Sequence, residues 1–570
     1  MSTPYGQQPP YGQQPPYGQQ PLYGQQPYYQ SPPYGQPQMP MPNQYGQGYY
    51  QSPPQGYGQQ PEPPKPTQSS IDMSNASKQE SGEWKKSKVE FNDSPKYQDL
   101  WATFLYIFTV VVTIVIAVVS LSKMDLDKMY GSSSTSSSST SSSSNEKYNG
   151  YNYYQKRSTK FGLKNNKGNN NAATLPQLII LLFASFGSSA LITFLYMILV
   201  QKFTGKMIKG TFILSIILNI AYALIAFILN PIIGIIMLVF AGLYVLCYFF
   251  WKGRIPFAKV MLKTVCAVTR RFPATLFIGF LGCIISIVWY AFIAFTLIAS
   301  MTVFGNSNDY PQGVGYVVYV FLLFSFYYSS QVINNTVHVT ISGVFATYFF
   351  RGVVEPGTNK IEIDVKNPTI SSLKRAITTS FGSICYGSLI IAIVNTLRAL
   401  ANQTKNEAAE DENYLLCAIA CCIECILSCI EDGIEYFNIY AFTEVAIYGK
   451  PYCQAAKDTW TLCKSRGIEA LINDNIIGNV LGIGAVAVAC LSAVVTYVIG
   501  MIFGIYNSTV IIFTVIAFLV GLMIFLVYAQ VINSGVATTF VCLCEDPDAL
   551  RQTKPELWEK VRDTYPSIVY

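Results

Sequence analysis

The stretch SQVINNTVHVTISGVFATYFF, Ser330 to Phe350, is apolar enough to lie in a bilayer, yet it carries an ordered polar stripe and the chain's single histidine. Gln331, Asn335, His338 and Ser342 follow one another in steps of four, three and four, so on a helix they share one face. Polar side chains at membrane depth are costly and mark function by default. The segment therefore reads as a spanning helix with a working face.

Composition extends that reading to the whole chain. Of 570 residues 51% are hydrophobic and only 12% charged, and since the first hundred are polar, the apolar residues concentrate after Leu100. Runs such as Trp101–Leu121, Leu178–Val200, Ala274–Ala299 and Thr509–Tyr528 approach or reach the roughly 20 residues that cross a bilayer. The expected fold class is an all-α polytopic membrane protein of ten transmembrane helices, at about 101–121, 175–200, 211–229, 232–251, 275–299, 316–350, 377–400, 415–447, 476–500 and 509–541. Met1 opens directly into a Pro, Gln and Tyr repeat with neither a basic n-region nor an apolar h-region, so insertion is expected to rely on the first span.

Charge sets the expected orientation. With the N-terminus in the cytoplasm, the inner loops hold Lys202, Lys206 and Lys209; Lys252 to Arg271; Arg351 to Arg375; and Lys450 to Arg466. The short outer loops hold only Lys405, as the positive-inside rule demands, and the C-terminus returns to the cytoplasm. The loop 122–174 departs from this with eight Lys and Arg, but at 53 residues it approaches the length at which the rule loses force. Three regions result: a disordered cytoplasmic tail at 1–95, a transmembrane domain at 96–545 and a cytoplasmic tail at 546–570.

The first 61 residues carry no charge and repeat YGQQPP-like units, a composition that buries no core. They read as a docking segment for a cytoplasmic adaptor or as a tolerated low-complexity extension. Ser132 to Ser144 is an unbroken run of 13 Ser and Thr, suited to O-glycosylation or to a flexible insertion. The sequon Asn402-Gln403-Thr404 falls in the other charged outer loop and is a candidate N-glycan site. Cys417, Cys421, Cys425 and Cys429 step by four along one helix, which puts thiols in a row rather than in a tetrahedron, so helix packing is expected rather than metal. Glu424, Ser428, Glu431, Glu435 and Asn438 form a stripe on that same span, which reads either as a cation pathway or as a helix broken near Gly433 with its first part at an interface.

SQVINNTV at Ser330 resembles AQVINSGV at Ala529, and Phe257-Ala258-Lys259 and Tyr452-Cys453-Gln454 open comparable basic loops 74 and 78 residues before Gln331 and Gln530. Spans 3–6 and 7–10 are therefore expected to form a parallel internal repeat with a solute site near its interface.

Three blocks carry a family likeness: Gln331 to Phe350, FNIYAFTEVAIYGKPYCQAAKDTW at Phe437 to Trp460, and the ending from Cys544-Glu545-Asp546-Pro547 to Tyr565-Pro566. Over about residues 95–570 the chain resembles the choline transporter-like family, and within it the fungal branch. That resemblance implies ten helices, both termini in the cytoplasm, and carriage of choline or a related amine. A quaternary ammonium has no N–H donor, so its site needs aromatic faces and carboxylates. Faces are available from Tyr327, Tyr328, Trp289, Tyr436, Tyr440 and Tyr528, charge from Glu431 or Glu435, and hydroxyl partners from Gln331, Asn335 or Gln530, with His338, Asn438 and Asn533 nearby in the pattern.

No Walker, HExxH, GxSxG or paired Cys-His motif is present. The expectation is a non-enzyme without cofactor, metal or nucleic-acid partner, seated in a lipid bilayer. The functional reading is a plasma-membrane secondary transporter or facilitator of a choline-like cation, with a vacuolar or other organellar membrane as the alternative address. The alternative function is a non-transporting scaffold or cell-surface stress sensor.

Overall fold

The computed structural model describes residues 96–123, 175–304, 310–311, 313–354, 361–466, 469–505 and 508–564. The disordered tail expected at 1–95, the serine run and nearly all of the loop 122–174 lie outside the described residues. In chain order the helices are α1 (Leu100–Lys123), α2 (Leu175–Lys202), α3 (Thr204–Leu229), α4 (Pro231–Trp251), α5 (Ile255–Arg271), α6 (Ala274–Phe304), α7 (Val314–Arg351), α8 (Pro368–Ile377), α9 (Phe381–Glu410), α10 (Tyr414–Tyr448), α11 (Tyr452–Arg466), α12 (Glu469–Ile502), α13 (Ser508–Glu545), α14 (Pro547–Thr553) and α15 (Pro555–Thr564). Ten of the described helices are long and apolar enough to cross a membrane, and they are the ten expected. The remaining five, α5, α8, α11, α14 and α15, are connectors.

Because every span reverses the chain, the connectors that follow the fourth, sixth, eighth and tenth spans gather at one end of the bundle, termed the base. Three of the basic segments expected as loops, 202–209, 252–271 and 450–466, are largely helical. In α5, Phe257, Met261, Leu262 and Val265 are buried while Lys259, Lys263 and Arg270 stay exposed, the 3.6-residue period of an amphipathic helix. Residues 547–564 also fold back onto the base, where Leu557 and Val561 join the core that surrounds α5. A two-stranded antiparallel ribbon, β1 (Gly352–Val354) with β2 (Ile361–Ile363), follows α7, pairing Gly352 with Ile363.

Local sequence sets the turns between spans. Asn230 caps α4, its side chain accepting from the Ile232 and Ile233 amides at 3.0 and 3.4 Å, with Pro231 at the first helical position. At the base, α10 ends on Gly449 (φ 65), whose N–H donates to the Val445 carbonyl, a left-handed cap that Pro451 then prevents from continuing.

The centre is built from α7 and α13. Each has 38 residues, about 57 Å at 1.5 Å per residue, well beyond the ~30 Å hydrocarbon core. Every residue from Val337 to Phe350 is buried, as is every residue from Ser534 to Cys544. Burial on all sides requires neighbours on all sides, and α5, α8 and the lower half of α10 supply them. Glycines permit the close approach: a Cβ on Gly535 would meet Phe345 and Val265, and one on Gly343 would meet Ser372 of α8.

Both halves of the bundle present one element order: a helical hairpin, an amphipathic helix, then a second hairpin, as α3–α4, α5, α6–α7 and as α9–α10, α11, α12–α13. A parallel duplication requires that order, and independent packing of the same connectors also produces it.

The start of α1 is clasped by the second half. The Asp99 carboxylate accepts from Ser383 Oγ and from the Tyr452 amide, both at 2.8 Å, so one side chain secures α9 and supplies an acceptor to the first turn of α11. Gly382 lets this happen, since a Cβ there would run into the Gln98 and Asp99 carbonyls. Gly382→Ala is therefore expected to cost about 1–3 kcal/mol of stability, measured as a lowered Tm of the detergent-purified protein; an unchanged Tm would mean that α1 does not dock there.

Candidate functional site

The acidic stripe of α10 decides where the site lies. The helix is continuous from Tyr414 to Tyr448 through Gly433, so the break offered as the alternative to a cation pathway is absent, and the stripe runs unbroken toward the base. Its neighbour α9 is antiparallel, joined by residues 411–413, and presents two cations to it. Arg398 pairs with Glu431 and Lys405 with Glu424, the two carboxylates being 14% and 19% exposed. Both pairs of positions are seven residues apart, two helical turns, so they form two rungs of one ladder. Each charge at membrane depth costs about 2.5–3.5 kcal/mol on insertion scales, and mutual pairing offsets that cost. Neither pairing was read from the sequence, although Arg398 is a lone cation inside an apolar span.

Beside the ladder opens a cavity of about 450 Å³ lined by Tyr327 of α7, by Asn395, Arg398 and Asn402 of α9, and by Glu424 and Glu431 of α10. Glu407 and Glu410 extend the wall, so among its lining residues one cation stands against four carboxylates. Asn395 is only 8% exposed, and its Oδ1 has no hydrogen-bond partner among the described residues. Asn402, expected in a loop, stands on the last turns of α9 and faces this cavity.

Polar groups continue from the cavity toward the base. Gln331 and Glu435 are neighbours one turn below Tyr327 and Glu431. Asn335 donates to Ser388 Oγ at 2.9 Å, while buried Asn438 donates to the Gly387 carbonyl and accepts from the Tyr452 hydroxyl. His338 closes the track. Its Nε2 lies 2.8 Å from the Ile439 carbonyl, which can only accept, so Nε2 carries the proton and Nδ1 accepts from Ser534 Oγ at 2.8 Å. One imidazole thus joins α7, α10 and α13.

Below His338 lies a second charged cluster that sequence reading missed, because Glu444 falls off the stripe. Lys450 Nζ reaches Asp458 at 2.7 Å and fully buried Glu444 at 3.3 Å, and it sits 4.0 Å from the Tyr448 ring centroid. Burial works against the Lys450 charge, but Asp458 and Glu444 more than offset it and hold its pKa above the ordinary range. Burial pushes the nearby Tyr452 hydroxyl up to about 12.

The remaining sequence candidates are dispersed. Tyr528 lines a different cavity, with Cys266 and Arg270. Gln530 donates to the Asn334 carbonyl at 3.4 Å, and Asn533 is exposed. Tyr436 and Tyr440 share a hydrogen bond of 2.9 Å, Tyr328 is fully buried edge-on to Tyr106, and Trp289 is tilted against Phe292. The cysteine row corrects an expectation: Cys421, Cys422, Cys425 and Cys429 are exposed rather than packed in an interface, because α9 meets α10 along the Glu424–Glu431 stripe and leaves the flanking positions uncovered. Among the described residues no group of three or more His, Cys, Asp or Glu is placed to hold a metal.

His338→Ala removes both interhelical bonds and leaves a void, and is expected to cost about 2–4 kcal/mol. His338→Gln, which restores one donor and one acceptor, should recover part of the loss; equal Tm values for wild type and alanine variant would dissolve the node.

Comparison with known proteins agrees with this architecture. A family described as plasma-membrane choline transporter matches residues 235–548. A protein PNS1 of Gibberella zeae is 32% identical over 492 residues, covering 83% of each chain. A protein PNS1 of Mycosarcoma maydis is 33% identical over 396 residues, 66% of this chain and 72% of that one. A CTL-like protein of Dictyostelium discoideum is 31% identical over 476 residues, 83% of this chain and 76% of that one. With more than half its length inside the matched family and its ten spans in place, the chain belongs to the choline transporter-like family of multi-pass membrane transporters.

Proposed function

We propose that the protein is a secondary transporter or facilitator that carries choline or a related small organic cation, and that the cavity between α7, α9 and α10 is its substrate vestibule. The observation that carries this reading is the pairing of an acid-rich wall with an unused acceptor: four carboxylates against one arginine, and the partnerless Asn395 Oδ1 beside Tyr327. A quaternary ammonium is attracted by carboxylates and by an aromatic face, a contribution of about 0.5–2 kcal/mol from the ring. Its hydroxyl would then satisfy Asn395. Glu435, deeper along the same stripe, is the next carboxylate on the path after Glu431 is engaged by Arg398.

The vestibule opens away from the base, while the track toward the base is blocked at His338 and by the buried lower halves of α7, α10 and α13. One-sided access of this kind suits alternating access rather than a continuous pore. The distribution of Lys and Arg supports a cytoplasmic base, with both termini on that side, and the family description favours the plasma membrane.

Purified protein in liposomes should take up labelled choline saturably. Glu431→Gln and Glu435→Gln should each lower kcat/KM about tenfold or more, with Tm held near wild type for Glu435→Gln and lowered for Glu431→Gln, which strips Arg398 of its counter-charge. Asn395→Ala should lower choline uptake roughly three- to tenfold but leave uptake of tetramethylammonium, which lacks the hydroxyl, unchanged. If no amine is taken up under any gradient, the scaffold or stress-sensor reading takes its place; if uptake persists with all three variants at wild-type rates, the vestibule is not the site.

A further inference from the structure

A second pocket, of about 650 Å³, lies at the base where α2 ends, α3 begins and α4 runs into α5. Six of its lining residues are lysines, Lys202, Lys206, Lys209, Lys252, Lys259 and Lys263, and no lining residue is acidic. Only Lys263 has a carboxylate partner among the described residues, the exposed Glu556 at 3.4 Å. Gly205 lets Lys259 lie across the start of α3, its Cδ 3.2 Å from where a Cβ would stand. The N-terminus of α3 opens into this pocket with no capping side chain and no acidic residue in its first turn. Helix N-termini in that condition present unpaired amides to anions. Six like charges gathered around one exposed counter-charge, Glu556, repel one another and call for a polyanion.

Two neighbouring features say what kind. First, one turn along α3 from Lys209, Phe212 is stacked on Tyr244, tilted against Tyr248 and edge-on to Trp251, at centroid distances of 5.8–6.1 Å. Clustered Tyr and Trp at helix ends mark the membrane–water interface. Second, Gln201 and Lys202 also border a cavity of about 620 Å³ that continues along α2 and α6 between Phe194, Ile198 and Leu276. A free phosphate compound would use only the lysine pocket. A lipid would use both.

We infer that this composite pocket is a binding site for an anionic membrane lipid whose headgroup carries more than one phosphate, the lysines and the α3 N-terminus holding the phosphates and the adjoining cleft an acyl chain. The site lies apart from the vestibule and does not depend on what the vestibule carries. Basic pockets between spanning helices on one leaflet are suited to such headgroups, each Lys being worth about 1 kcal/mol near an anionic surface.

The test uses the full-length protein in detergent, titrated with phosphatidylinositol 4,5-bisphosphate, phosphatidylserine, phosphatidylcholine and free inositol 1,4,5-trisphosphate, with bound adducts counted by native mass spectrometry. The bisphosphate lipid should bind one molecule per chain, ahead of the other three. Lys206→Gln/Lys209→Gln/Lys259→Gln should weaken it on the order of a hundredfold. The matching Lys→Arg triple should bind as wild type does. A control triple elsewhere on the base, Lys366→Gln/Lys464→Gln/Lys560→Gln, should leave affinity within twofold. All the substituted lysines of the pocket are exposed, so folding should persist; should the triple fail to fold, Lys206→Gln alone should still lose several-fold. Unchanged binding in the pocket variants, an equal loss in the control triple, or equal affinity for free inositol trisphosphate would each overturn the assignment.

Discussion

Two bonds of 2.8 Å from one imidazole set the relation among the three helices at the centre of the bundle. Lipid tails are as apolar as leucine, so hydrophobic burial gives packed membrane helices little to choose one register over another. A hydrogen bond does choose, since sliding any of α7, α10 or α13 by one residue moves its partner about 1.5 Å and breaks the contact. His338 therefore fixes the level at which the polar track between the helices ends. Asn335 lies one turn above it and Ser342 one turn below, so the stripe first read on the sequence is a depth scale for the site.

Charge divides the molecule along the same axis. Away from the base, carboxylates exceed cations around the cavity, and the α9–α10 ladder neutralises only two of them. At the base, six lysines share a pocket without a lining acid. The first arrangement concentrates cations at an opening. The second faces the leaflet whose surface is negative if the base is cytoplasmic. The same asymmetry of charge underlies the orientation and the different ligands proposed for the two ends.

The sequence carried the spans, the faces and the family, because length, hydropathy and period are local properties. It did not carry neighbours. The α10 stripe was legible, but its pairing with Arg398 and Lys405 depends on which helix packs against it, and only the antiparallel α9 supplies the seven-residue spacing. Polar residues in basic stretches read as loops, whereas α5 and α11 are helices whose apolar sides are covered by tertiary contacts. The cysteine row was misplaced because four-residue spacing names a face without naming what it meets, and the sequon at Asn402 because α9 continues to Glu410, past the expected end of its span. Gln331 and Gln530 share a motif yet meet different partners, since α7 and α13 have different neighbours.

Asp99 ties the first span to groups 284 and 353 residues further along the chain, Ser383 and the Tyr452 amide. At ribosomal speeds of about 5–20 residues per second, roughly 20–70 s separate the synthesis of that carboxylate from that of its later partner. During this interval α1 is in the bilayer without the seat that Ser383 and the Tyr452 amide provide. Assembly is thus ordered in time: the helix made first is among the last to be locked, and a ribosome that stalls before α11 leaves an opened bundle for membrane quality control to find.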